Sequence, residues 1–365
     1  MGVRRRALGV VEQAVTLARP EVWRGRRVLV TGHTGFKGAW LCLRLKALGA
    51  KVTGLALDPP SHPSLFDLAA VATGLEDRRA DLRDAAAVQA VVQAARPDVV
   101  FHLAAQALVR QGLQAPLDTL DINVMGSARL FETLRAARAQ AIVSITSDKV
   151  YLNTDAGRAF AEDDALGGSD PYSGSKSAAE IVARIYRESF GLPLVTARAG
   201  NVIGGGDFAD NRLIPDLCRS IAAGAPLVLR RPASTRPWSC VLDINEGYIL
   251  YAEAVIEARA GLPAALNFGP APGAEAMTAL TTAELCAEAM GQALDWRADP
   301  DPFPEKVTLA IDSSLARRTL GWRERFAGPA AVAATGGWYR AFHTGEDARV
   351  LSDRLVAAYG ETIAA

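Results

Sequence analysis

The stretch RVLVTGHTGFKG, residues 27–38, decides the fold. An apolar run ends in Thr31. Gly32, Gly35 and Gly38 then recur at three-residue spacing and lead into a helical pattern, FKGAWLCLRLKALG, closed by Gly49. Glycines at such a corner let the backbone turn tightly and approach a pyrophosphate, and the first turn of the following helix offers free N–H groups to it. The other residues of the turn, His33, Thr34, Phe36 and Lys37, join the glycines as candidate dinucleotide contacts. Spaced glycines alone are weak evidence; a strand before them and an amphipathic helix after them make the reading specific.

Outward from this corner, β-rich runs alternate with helical patterns. KVTGLALD, DVVFHLAA, AIVSIT and PLVTARAG read as strands. AAAVQAVVQAA (capped by Asp84), DTLDINVMGSARLFETLRAAR and PYSGSKSAAEIVARIYRESF read as helices. Such alternation predicts an α/β chain: a Rossmann fold with a parallel sheet and helices on both faces. After residue 200 glycines and prolines break the pattern, which predicts a smaller mixed α/β substrate domain. The expected division is an N-terminal extension over 1–22 and the dinucleotide-binding domain over 23–200, with 238–265 returning to it. The substrate domain takes 201–237 and 266–345, and 346–365 is a tail.

Composition limits what the chain does. It has 365 residues, 50% of them hydrophobic, enough for one large or two modest domains. Forty Lys+Arg balance forty Asp+Glu, so no general affinity for nucleic acid is expected. Cys42, Cys218, Cys240 and Cys286 show no paired spacing and read as reduced thiols of a cytoplasmic protein; with the scattered histidines they argue against a metal site. The basic, then apolar start, MGVRRRALGVVEQAVTLA, is interrupted by Glu12 and Gln13 and lacks a clear cleavage site. It reads as a short helical or disordered extension. No run is long enough to span a membrane.

Strand ends facing the glycine turn supply further candidates. Asp58 lies 20 residues after Gly38 and can accept hydrogen bonds from a ribose diol while repelling a 2′-phosphate, which favours NAD over NADP. The bland alternative is a turn residue before Pro59-Pro60. Asp81 and Leu82, Leu103, Ala104, Ala105 and Gln106, and Asn123 are placed beside the same crevice. Tyr172 and Lys176, four apart on one helix, share a face. A phenol near a cation and an oxidised nicotinamide can become phenolate and remove an alcohol proton; the bland reading is a surface Tyr and Lys. One strand earlier stand Thr146, Ser147, Asp148 and Lys149. A carboxylate beside an amine there is either an acid and a base or a surface ion pair of under about 1 kcal/mol.

Taken together, TGHTGFKG, LAAQ, NVMG, TSDK, YSxSK and AGNVIGGGD resemble the extended short-chain dehydrogenase/reductases that act on nucleotide sugars, most closely the CDP-glucose 4,6-dehydratase family. The likeness runs from Trp23 to GEDARVL near the C-terminus. It implies a lyase (a hydro-lyase) that oxidises the sugar at C4 with tightly held NAD, eliminates water across C5 and C6, and returns the hydride to C6. It implies a soluble, cytoplasmic homodimer or higher homo-oligomer that makes deoxysugars for lipopolysaccharide O-antigen. By the resemblance Tyr172 is the C4 base, and Lys176 holds the ribose and lowers the phenol's pKa. Ser147 bonds the 4-oxygen, Asp148 protonates the departing C6 hydroxyl, and Lys149 acts at C5. Asp148 must then be protonated and Lys149 neutral, although a lysine titrates near ~10.4; a charged Lys149 stabilising the enolate is the softer alternative.

The resemblance also places Arg110, Asn201, Arg212, Leu213 and Arg236 at the nucleotide sugar, Arg236 as a planar clamp on the diphosphate. Around them the pattern departs from the family: RPWSCVLDI stands where RPWQHVLEP is expected, so Ser239-Cys240 replaces Gln-His. PFPEKVTLAID replaces a His-Glu segment. Two other readings remain open: an epimerase or dehydrogenase of the same fold acting on another nucleotide sugar, and a non-catalytic NAD-binding homologue.

Overall fold

A computed structural model describes residues 15–154, 157–274, 276–299 and 309–361. Seven parallel strands form the central sheet: β1 (Arg27–Thr31), β2 (Lys51–Ala56), β3 (Glu76–Arg79), β4 (Val99–His102), β5 (Ala141–Ile145), β6 (Leu194–Ala199) and β10 (Ala265–Phe268), in the order β10-β6-β5-β4-β1-β2-β3. Two short ribbons lie outside it. One pairs β7 (Val202–Ile203) with β9 (Ser239–Cys240), and the other pairs β8 (Leu227–Leu229) with β11 (Trp296–Ala298).

The strand order reverses between β1 and β4, and the crevice at such a switch point is where a doubly wound sheet binds its ligands. Strands β4, β5 and β6 are buried at every position, as both-sided packing requires of a parallel sheet. Strand β3 has the opposite character. Its four residues, EDRR, are all exposed and charged. No apolar pattern announces it, and it exists because β2 offers it a free edge.

Several helices follow their terminal residues. Helix Pro171–Phe190 begins with Asp170, which accepts from the Ser173 N–H, takes Pro at its first position and stops at Gly191 in the left-handed region. Asp84 caps helix Ala85–Ala95 in the same way. The single helix expected over 118–138 is instead an α-turn (Pro116–Leu120), a π-helical stretch (Asp121–Gly126) and an α-helix (Ser127–Leu134). The wider turn brings Asn123 inward and lets Ser127 donate to the Asn123 carbonyl, 2.6 Å.

Three features bear on the expected division of the chain. Strand β10 belongs to the central sheet, so the returning segment runs past residue 265 to Phe268. Within the segment expected as a tail, helix Ala348–Gly360 buries Leu351, Val356 and Tyr359, and the Tyr359 hydroxyl donates to Asp243, 2.8 Å. Part of the N-terminal extension is packed too. Ala18 is buried and its N–H donates to Glu246, 2.6 Å, while residues 1–14 lie outside the described residues. One hydrophobic core joins the two halves, with Trp40 and Tyr248 packed in the same cluster as Trp338 and Tyr339. Among the described residues no helix is long and apolar enough to cross a membrane, and no group of His, Cys, Asp and Glu is placed to hold a metal.

Candidate active site

The glycine turn occupies the crevice between β1 and β4. Gly32 has φ +76°, and a Cβ there would lie 2.7 Å from the Ala104 nitrogen. A Cβ on Gly38 would lie 2.2 Å from the Gly32 carbonyl oxygen. Only glycine fits either position, so the corner stays tight; the Gly32 N–H donates to the Leu55 carbonyl and the Gly35 N–H to the Gly32 carbonyl, which fixes its shape at the start of the helix. Gly35 is the N-terminal flanking residue of helix Phe36–Ala47 and has no such steric conflict.

Several predicted cofactor residues are engaged within the protein. His33 is buried, packs edge-on to Phe66 and pairs with Asp77 through Nε2, 2.8 Å, so its backbone rather than its ring is free for a ligand. The Thr34 hydroxyl donates to the Leu57 carbonyl. Asp81 accepts from the Arg83 guanidinium, 2.7 Å, which holds its carboxyl below the usual range. Leu82 is buried in the core. The Asn123 amide donates to the Gln106 carbonyl and to Ser175 Oγ, 2.9 Å each, and its oxygen accepts from the Gln106 N–H, tying the end of β4 to helix Pro171–Phe190. Leu103, Ala104 and Ala105 line the end of β4, where the Ala104 N–H donates to the Thr31 hydroxyl. Asp58 sits beyond β2 with its side chain 90% exposed, 3.4 Å from Arg79.

The end of β5 carries the second group. Ser147 caps a short 3₁₀ turn, Asp148–Val150, accepting from the Lys149 N–H and donating to Asp148 Oδ1, 3.0 Å. The turn sends Asp148 into the interior and leaves Lys149 half-buried. Asp148 Oδ2 is buried with no hydrogen-bond partner. Burial pushes this carboxyl up, opposed by Lys149, the Ser147 hydrogen bond, Arg236 and Lys37. The acid required in its protonated form is therefore favoured in that form.

Tyr172 and Lys176 meet this strand end from helix Pro171–Phe190. Burial raises the Tyr172 phenol, and a hydrogen bond with Ser147 and the charge of Arg212 pull it back. The Lys176 ammonium donates to the Ile145 carbonyl, 3.3 Å, and Arg212 is a cation that lowers the phenol. Burial brings Lys176 down to about 8, with Glu180 opposing. Glu180, one helical turn on, was not singled out from the sequence. It accepts from Thr146, Thr196 and Arg198, the last at 2.8 Å in a buried ion pair, and so anchors the strand end from beneath. Its spacing of four from Lys176 is the signal that marks it.

The segment after β6 closes the site. Pro237 and Asp148 flank Gly200, where a Cβ would lie 2.5 Å from Pro237 and 2.9 Å from Asp148 Oδ2. The Asn201 carbonyl accepts from the Ser239 N–H, 3.0 Å, joining β7 to β9. Arg212 pairs with Asp207, 3.0 Å, within reach of Tyr172, and Arg236 lies within electrostatic reach of Asp148. Leu213 is half-buried at the start of helix Leu213–Ala223, and Arg110 is exposed on helix Val109–Gln114. Ser239 and Cys240, the departures from the family pattern, are both buried. The four cysteines are free, and burial pushes Cys42, Cys240 and Cys286 up to about 12. The altered PFPEKVTLAID segment lies mostly outside the described residues.

The strand ends thus bring the glycine turn together with a phenol, a buried carboxyl whose pKa is raised, and three lysines. Residues 28–264 match the family described as "NAD dependent epimerase/dehydratase family". The chain is 39% identical over 348 residues to the CDP-glucose 4,6-dehydratase of Salmonella typhimurium strain LT2, covering 92% of this chain and 97% of that one. It is 28% identical over 320 residues to the UDP-glucose 4-epimerase of Mycolicibacterium smegmatis, covering 86% of this chain and 98% of the relative. Among solved structures it superposes with TM-score 0.75 and 25% identity on a double mutant of the dTDP-glucose 4,6-dehydratase DesIV of Streptomyces venezuelae, solved with NAD and DAU bound, over 86% of this chain and 97% of that one.

Proposed function

The chain belongs to the NAD dependent epimerase/dehydratase family, and from that premise we propose that it is a hydro-lyase converting CDP-glucose to CDP-4-keto-6-deoxyglucose. The observation that carries the reading is the Asp148-Lys149 pair beside Tyr172. A C4 epimerase or a simple dehydrogenase needs the phenol; eliminating water needs an acid and a base besides. The identity of 39% to a CDP-glucose 4,6-dehydratase supports the choice of nucleotide.

The residues present fit NAD. The Gly32 and Gly38 positions exclude a Cβ and leave the phosphate path open, and Asp58 is exposed where a ribose diol would reach it. These residues would hold NAD, which when bound would supply hydride acceptance and return for the sugar. Tyr172 removes the C4 hydroxyl proton, with Ser147 donating to the same oxygen. Lys149 takes the C5 proton, made acidic by the new ketone. Asp148 delivers its proton to the C6 oxygen as the C–O bond breaks, so that water leaves and C5=C6 forms. Arg236 and Arg212 hold the diphosphate, each as a fork of N–H donors.

Incubation with CDP-, dTDP-, GDP- and UDP-hexoses tests the assignment. The expected product is a 4-keto sugar lighter by one water, formed from CDP-glucose without net NADH. Net NADH signals a dehydrogenase, and silence with every sugar signals a non-catalytic homologue. Lys149→Met separates base from electrostatic helper: loss of solvent deuterium entry at C5 is expected, and unchanged exchange rejects the base.

A homodimer completes the reading. Leu117, Leu120 and Met125, with Ile181 and Ile185 of helix Pro171–Phe190, are exposed apolar residues on helices suited to pairing. Ile181→Glu is expected to shift sedimentation to monomer.

A further inference from the structure

The turn that carries Asp148 and Lys149 is held at both ends. Just before it, the Thr146 hydroxyl donates to Glu180 Oε1, 2.5 Å. Just after it, the Tyr151 hydroxyl accepts from Arg198 Nη1, 2.8 Å, and donates to Asn267 Oδ1 on β10, 2.7 Å. Glu180 and Arg198 are themselves joined as a fork, Nε to Oε1 at 3.0 Å and Nη2 to Oε2 at 2.8 Å. Both ends of the turn therefore finish on one ion pair. Thr146, Tyr151, Glu180, Arg198 and Asn267 are all buried.

Each member of the pair makes further bonds. Glu180 Oε2 also accepts from the Thr196 hydroxyl, 2.7 Å, and Arg198 Nη1 also donates to the Glu162 carbonyl, 3.0 Å. The Tyr151 ring stacks on Phe160, centroids 5.0 Å apart, with the Arg198 guanidinium 5.0 Å from the Tyr151 centroid. A buried ion pair commonly adds little stability over apolar side chains of the same volume; its best attested use is to fix one arrangement. Here the arrangement includes the phenol. Glu180 lies on helix Pro171–Phe190 with Tyr172, and Ser177 of that helix donates to the Val150 carbonyl at the end of the turn, 2.8 Å.

We propose that Glu180 and Arg198 are positioning residues for the elimination step: through Thr146 and Tyr151 their ion pair pins both ends of the Ser147–Val150 turn to the helix that carries Tyr172, and so sets where Asp148 and Lys149 meet the sugar. The inference rests on the dehydratase reading. Glu180 and Arg198 act through the two hydroxyls rather than on the sugar. Tyr172 handles C4, while Asp148 and Lys149 work at C6 and C5, so the distance between helix and turn must match one sugar ring. A displacement of about 1 Å is enough to lose much of the rate. Two ties to one buried pair hold that distance from both sides.

Breaking the pair itself would strand a buried charge, so the test cuts the ties instead. It compares Tyr151→Phe, Thr146→Val, their double variant and Thr146→Ser with the wild type, all loaded with NAD. Hydrogen exchange, read on peptides covering 146–151, is expected to quicken in each single variant that loses a hydroxyl and further in the double. With CDP-glucose, kcat of the folded fraction should fall by about ten- to a hundredfold in the double variant while KM stays within about twofold, and Thr146→Ser should keep the wild-type values. A tie that serves stability alone would lower the melting temperature and leave kcat of the folded fraction unchanged. That result, a change confined to KM, or unquickened exchange at 146–151 overturns the inference. The exchange needs no sugar, so a wild type that turns over no nucleotide sugar refutes the dehydratase reading separately.

Discussion

Along the glycine turn and the ends of β3 and β4, polar side chains end on one another: His33 on Asp77, Asp81 on Arg83, Asn123 on Gln106 and Ser175. Only Nδ1 of His33 is left buried without a partner. At the end of β5 and the segment after β6 the pattern reverses. Asp148 Oδ2 and Ser239 Oγ are buried and unpartnered, and burial brings Lys37 to about 7 and Lys176 to about 8. The first region is internally satisfied, which keeps its backbone fixed. The second keeps groups in protonation states that water would not favour, which a proton-moving reaction can use.

Asp148→Asn attacks the second region and carries the largest expected effect. Dehydration should fall by about 10³, the scale of a lost general acid. C4 oxidation should persist in single turnover. Thermal unfolding should show stability within about 1 kcal/mol of wild type, because the deleted charge site is not a structural tie. Equal loss of both steps, or a collapse in stability, would erase the contrast between the regions.

Gly38→Ala attacks the first region. The added methyl meets the Gly32 carbonyl oxygen at 2.2 Å, an overpacking that costs about 1–3 kcal/mol. Calorimetric NAD titration should weaken and the melting temperature should drop together. Unchanged NAD affinity would mean that the turn is not the phosphate site.

The smallest effect sharpens the comparison through pH. A lysine whose folded pKa is depressed disfavours folding while protonated, and the native state recovers as pH rises through that pKa toward the unfolded value. For Lys37 the window runs from about 7 to the ordinary lysine value of 10.5. Lys37→Met should therefore melt higher than the wild type at pH 6, with the gain closing as pH climbs through the window. Taking the difference between the two proteins removes the opposing contribution of the buried thiols. A constant difference across pH would show that Lys37 titrates as an ordinary surface lysine.

What the sequence by itself determined is what local rules govern. The corner at Gly32 and Gly38, the capped helix carrying Tyr172 and Lys176, and the strand ending in Ser147, Asp148 and Lys149 are each contiguous, and spacing and capping chemistry specify them. The charged edge strand β3 was illegible because its sheet partner, not its residues, makes it a strand. The same holds for the π-helical turn at Asn123, the packed C-terminal helix and the pairing of Lys37 with Tyr248, 211 residues apart. Those depend on which surfaces meet once the sheet has formed. Burial then does what no spacing can report: it raises Asp148, lowers Lys37 and Lys176, and brings Arg212, 40 residues on in the chain, to bear on Tyr172.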